Sequence, residues 1–195
     1  MEICQLILQN VYEKNPKNED GFTPLHSAAQ RGHFEICRLI LQNVQEKNPK
    51  GLNCWTPLHY AAQNGHVEIC KLIIGKVYEK NPPGINGWTP LHFAAQNNQF
   101  EVCRLILECI EEKNPKNDFG LTPQNYAHMY GHSAVVNLIT SFNFFAIITF
   151  ENVVKITISI SQKLKVIFVL SSHCGFSTFM ITLFYYSYML SFGFI

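Results

Sequence analysis

A period of 33 residues runs through the first part of this chain and constrains its architecture more than any other feature. Thr23, Thr56, Thr89 and Thr122 stand 33 residues apart, as do Cys4, Cys37, Cys70 and Cys103, and Pro16, Pro49, Pro82 and Pro115. The string Thr-Pro-Leu-His-x-Ala-Ala-Gln begins at Thr23, Thr56 and Thr89 and is degraded after Thr122. A segment of that length cannot enclose a core alone. Such units gain stability by stacking on neighbours in a solenoid, and the two helical patterns within each unit make that solenoid all-α, built of helix-turn-helix units.

Each unit reads as two short helices. Thr23, Thr56 and Thr89 stand where a helix begins, and the following Pro suits the first helical position because its missing N–H would have no partner there. Gly32, Gly65 and Gly131 end the first helix at a left-handed cap, with Asn98 substituting in the third unit. In the second helix Ile36, Cys37, Ile40, Leu41 and Val44 recur at helical spacing. Glu35 precedes Arg38 by three residues, as Glu68 does Lys71 and Glu101 does Arg104. Each such pair contributes about 0.2 to 0.5 kcal/mol, so packing must hold the helices. The β-branched residues Val11, Val44, Val77 and Ile110 prolong the apolar stripe, which predicts a second helix extended by about a turn, as far as Asn48-Pro49 and its counterparts.

The Thr-Pro-Leu-His-x-Ala-Ala string and the Gly-His that follows it resemble the ankyrin repeat, over residues 1–140, about seven tenths of the chain. The units run 1–17, 18–50, 51–83, 84–116 and 117–140, with an apolar tail at 141–195. Residues 1–17 match the second half of a unit, so the array is expected to begin partway through a repeat or to continue upstream of Met1. Residues 117–140 read as a degenerate cap, with Gln124, Asn125 and His128 replacing motif residues. The resemblance implies short hairpin loops at Asp20-Gly21, Asn86-Gly87 and Phe119-Gly120. At the equivalent Cys54 a positive φ is expected, at a cost of about 1 to 2 kcal/mol.

The formal charge is +1; residues 1–140 hold 12 Lys and Arg against 13 Asp and Glu, without the basic excess of a nucleic-acid binder. The Cys4, Cys37, Cys70 and Cys103 ladder has a spacing of about 10 Å between packed helices, beyond disulfide reach, and suits buried thiols in a reducing, cytoplasmic compartment. No apolar leader follows Met1. The tail differs. Ten of the 15 Phe lie in 141–195, and 166–195 lacks Asp, Glu, Lys and Arg. That run is long enough for a membrane span of about 20 residues, with Lys155, Lys163 and Lys165 on its cytoplasmic side. A strand-like alternation at Ile156, Ile158 and Ile160 leaves a small β-rich domain open, and a mistranslated segment is the third reading.

Candidate chemistry is sparse. His26, His59 and His92 occur once per unit and should form a ladder, whereas metal ligands converge at about 2.0 to 2.3 Å on one ion. The resemblance implies that these imidazoles tie loop and neighbouring repeat by hydrogen bonds. Buried Cys37, Cys70 and Cys103 should be inert, and no nucleophile-base motif accompanies Cys54 or Cys109. No cofactor, metal, small-molecule substrate or catalysis is expected. By resemblance, Asn15, Asn48, Asn81 and Asn114, each followed by Pro, match a loop Asn that the family sometimes presents for hydroxylation. A concave partner-binding face is implied at Phe22, Gln30, Arg31, Trp55, Gln63, Asn64, Trp88, Gln96, Asn97, Leu121, Met129 and Tyr130. The expected function is an adaptor binding a protein through that face; the alternative is the cytosolic portion of a protein anchored through 166–195.

Overall fold

The computed structural model describes residues 2–51 and 53–144. Among them the regular elements are helices, in the order α1 (Glu2–Asn10), α2 (Pro24–Gln30), α3 (Phe34–Asn43), α4 (Pro57–Gln63), α5 (Val67–Ile74), α6 (Pro90–Gln96), α7 (Phe100–Cys109) and α8 (Pro123–Met129). A ninth, α9, covers residues 133–144. The tail calls, including 166–195, lie outside the described residues.

The first helices α2, α4, α6 and α8 stack in register, and α1, α3, α5 and α7 form a second row behind them. Small side chains allow this. Ala28, Ala29, Ala61, Ala62, Ala94, Ala95 and Ala127 are buried, letting the first helices approach closely. Behind them Cys37, Ile40, Leu41, Cys70, Ile73, Cys103, Ile106, Leu107, Val135 and Ile139 form one continuous core.

The expected Thr-Pro starts are present: Thr23, Thr56, Thr89 and Thr122 are extended N-caps with Pro as the first helical residue. Gly32, Gly65 and Gly131 have φ of 78°, 75° and 75°, and Asn98 takes the same region at 57°. At Gly32 and Gly65 space is also limiting, because an added Cβ would lie 2.7 Å from His66 Cε1 and 2.2 Å from Gln99 Oε1 respectively. The hairpin tips have the expected turns, and Cys54 adopts φ 56°. Adjacent tips are joined by Ile85 N–H to Asn53 O (2.9 Å) and Asp118 N–H to Asn86 O (3.0 Å).

Two expectations are corrected. The second helices are not prolonged: α3 ends at Asn43, and Val44 is extended at φ −112°, ψ 155°. Ile110 does the same after α7, and α5 stops at Gly75. Val44, Val77 and Ile110 still pack against the core. The apolar stripe therefore continues without helix, because an extended residue can aim its side chain inward too. The carbonyls left open are taken by lysine. Lys47 Nζ donates to Leu41 O (2.7 Å) and Val44 O, and Lys80 and Lys113 repeat this on Ile74 and Val77 and on Leu107 and Ile110. A cation at a helix C-terminus also suits the dipole. The second correction is the cap's end. Helix α9 passes residue 140 and reaches 144, with Phe142 packed against the core and Lys113 Nζ 5.7 Å from its ring centroid.

Candidate functional site

The face formed by the hairpin tips and the ends of the first helices is built on repeated polar ties. In each full unit the Thr N–H donates to the imidazole Nδ1 three residues on, at 3.0 Å for His26, 3.0 Å for His59 and 3.2 Å for His92. An Nδ1 that accepts leaves the proton on Nε2. That Nε2–H then donates to the next unit, His26 to Trp55 O (3.1 Å), His59 to Trp88 O (3.1 Å) and His92 to Leu121 O (3.2 Å). One ring thus caps its own helix and fixes the following tip. Both jobs need neutral imidazole. Burial favours it, lowering His26 below 6.5 and holding His59 and His92 at about 4.

A second set of ties aligns the far ends of the first helices. His66 Nε2–H donates to Gln30 O (3.1 Å), His132 Nε2–H to Gln96 O (3.0 Å), and Gln99 Nε2–H to Gln63 O (3.3 Å). The helix starts are held from behind, where Asn15, Asn48 and Asn81 Oδ1 accept from Leu25, Leu58 and Leu91 N–H at 2.9, 3.1 and 2.9 Å. Asn114 Oδ1 accepts from Gln124 N–H at 3.2 Å. These asparagines serve as structural acceptors in the stack.

Of the expected surface residues, Gln30, Arg31, Asn64 and Asn97 are exposed, and Met129 and Tyr130 are 65% and 56% exposed. Gln63 and Gln96 are half-buried, and Gln96 Nε2–H donates to Tyr130 Oη at 3.2 Å. Arg31 is the one charged residue of the twelve. Phe22, Trp55, Trp88 and Leu121 are half-buried, not free at the tips. Their covers were overlooked in sequence: the variable residue of Thr-Pro-Leu-His-x-Ala-Ala is aromatic at Tyr60 and Phe93, and Tyr126 occupies the same register. The Tyr60 centroid lies 5.3 Å from Phe22 and 5.6 Å from Trp55, and Phe93 lies 4.8 Å from both Trp55 and Trp88. Tyr126 closes the row 4.5 Å from Trp88. Each ring wedges a joint between units, where aromatic pairs add about 0.5 to 1.5 kcal/mol beyond area. The clue was visible as three large rings at one 33-residue position.

The family described as ankyrin repeats (3 copies) matches residues 1–83 and again residues 76–147. The chain belongs to the ankyrin-repeat family. Ankyrin repeats are generally protein–protein interaction modules and typically non-catalytic scaffolds. No curated protein matches the chain. In this ankyrin stack Cys37, Cys70 and Cys103 are fully buried, and burial pushes their thiols up to about 12, far from a nucleophile's range. Cys54 and Cys109 are exposed. Among the described residues no three His, Cys, Asp or Glu side chains come together as a metal site would require, and no helix is long and apolar enough to cross a membrane.

Proposed function

We propose that the ankyrin stack is a non-catalytic adaptor that binds a protein partner through the face running from Gln30 and Arg31, across Gln63, Asn64, Gln96 and Asn97, to Met129 and Tyr130. The observation that carries this reading is the pairing of exposure with rigidity: Gln30, Arg31, Asn64 and Asn97 reach solvent at helix ends where the carbonyls of Gln30, Gln63 and Gln96 are fixed by His66, Gln99 and His132, and Gln96 holds the Tyr130 hydroxyl at 3.2 Å. A surface held in place loses little conformational freedom on binding. Met129 and Tyr130 supply the large side chains that carry interface energy, while Phe22, Trp55, Trp88 and Leu121 offer their remaining edges. The partner is met in the cytoplasm.

A photo-crosslinking amino acid placed at Asn64 or Tyr130, in cells, should yield a covalent adduct with the same protein from both positions. Glu68 and Glu101, exposed at the starts of α5 and α7, are the controls. Adducts arising equally from the controls would discard the face. The run 166–195 without a charged residue favours a second reading, a stack held at a membrane by its tail. Full-length chain retained on carbonate-washed membranes supports that reading, and a freely soluble pool removes it.

A further inference from the structure

The Lys-Asn-Pro loops behind the hairpin tips leave a row of grooves between consecutive units. The solvent-open groove between the loop after α5 and the loop after α7 has a volume of about 660 Å³, and its register-equivalent one unit earlier about 300 Å³. Their linings differ in charge. The larger carries four carboxylates, Glu79, Glu111, Glu112 and Asp118, against Lys116 and Lys80, and Lys80 Nζ is already engaged by Ile74 O and Val77 O. The smaller carries Glu46 and the shared Glu79 against Lys47, Lys50 and Lys76, with Lys47 Nζ engaged in the same way by Leu41 O and Val44 O. Among the described residues none of the four carboxylates is in an ion pair, since the ion pairs present are those of Arg38 and Arg104. Tyr78, on the loop shared by both grooves, is fully exposed, an aromatic ring with nothing from the described residues packed on it. The carboxylates do not converge as a metal ion demands. Spread negative charge in a groove that also presents an uncovered ring complements a ligand with several separated cations and an apolar group.

We propose that this groove docks a basic, extended polypeptide segment, its Lys or Arg side chains meeting Glu79, Glu111, Glu112 and Asp118 and an apolar side chain lying on the Tyr78 ring. An extended chain advances about 3.3 Å per residue with alternate side chains on one side, so basic residues at every second position reach separate carboxylates. A cation over the Tyr78 face adds to the same preference. The site is distinct from the face carrying Gln30 to Tyr130, and either can fail without the other.

The test uses the full chain and a fluorescein-labelled heptapeptide of alternating Arg and Leu, followed by anisotropy at about 50 mM salt, where surface charges are weakly screened. Saturable binding is expected for this probe and none for its Glu-for-Arg counterpart. Glu111→Lys with Glu112→Lys should weaken it about tenfold, and Tyr78→Ala about threefold, the sizes expected of several exposed charge contacts and one aromatic contact. Glu13→Lys with Glu46→Lys, the same charge change elsewhere on the row, should leave the affinity within about twofold. The proposal is overturned by no saturable binding up to about 1 mM. It is equally overturned by equal losses from the two charge reversals, or by a Tyr78→Ala protein that binds as well as the parent, since either would reduce the effect to overall charge.

Discussion

The three complete units and the capping unit solve the same local problem with different residues. In the complete units the helix start is capped by His26, His59 or His92, whose second nitrogen reaches the next unit. In the cap the residue is Asn125: Thr122 N–H donates to its Oδ1 at 2.9 Å, and Asn125 N–H donates back to Thr122 Oγ1 at 3.2 Å. The carboxamide keeps the capping half of the histidine's work and lacks the reach for the other half. Helix initiation and the joining of units are thus separable functions carried by one ring, and a unit followed by no repeat among the described residues needs only the first.

Acid should expose that difference most strongly. His59 and His92 are held at about 4, below the ordinary 6.5, so the unfolded chain binds protons first as the pH falls. Their contribution is complete above about pH 6.5 and is lost progressively down to about pH 4. At about 1.4 kcal/mol per pH unit for each ring, two rings cost on the order of 5 kcal/mol by pH 4.5. Urea midpoints measured between pH 7.5 and 4.5 should fall accordingly, and His59→Asn with His92→Asn should flatten the slope. A slope unchanged in that double variant would break the link between imidazole neutrality and the joints.

At neutral pH the same comparison can be made by truncation. His59→Ala removes cap, joint and a buried ring, and should cost about 3 kcal/mol, whereas Asn125→Ala removes a cap alone and should cost about 1 kcal/mol. His59→Asn should fall between them in equilibrium denaturation. Equal losses at the two sites would mean that the second nitrogen contributes nothing.

Glycine sharpens the contrast on geometry. Gly65→Ala must displace Gln99 as well as hold a positive φ, while at Gly131, among the described residues and apart from its chain neighbours, no atom lies within 4 Å of an added Cβ. We expect losses of about 2 and 1 kcal/mol respectively in thermal melts. The smallest effect is a gain. Cys54→Gly relieves the positive φ at a tip where the other units have glycine and should raise stability by about 1 kcal/mol. A neutral result there would show that the loop had already relaxed around the thiol.

Much of this architecture was legible because the repeats act as mutual controls. Asn98 and Cys54 could be assigned left-handed backbone from the glycines 33 residues away, and both adopt it. The second helix was overestimated for a physical reason. Helical spacing reports which side chains face the core, and Val44 faces it from extended backbone after the helix has ended. The lysine caps were missed because a long flexible side chain leaves no mark on periodicity. The aromatic joints were missed because the position holding Tyr60 and Phe93 varies from unit to unit and so looked unconstrained. The cap's end was set too early because Phe142 shares its composition with the tail while its packing belongs to the stack. The exposed helix ends followed from register alone; what they bind depends on a surface chemistry that the repeat does not specify.

The aromatic row also makes the molecule its own reporter. The chain has two tryptophans, and each sits at a different joint: Trp55 against Phe93 of the unit after it, Trp88 against Tyr126 of the cap. Their emission therefore reads the opening of consecutive seams, and a variant keeping only one indole would reveal whether the array peels from its end or melts as a single block.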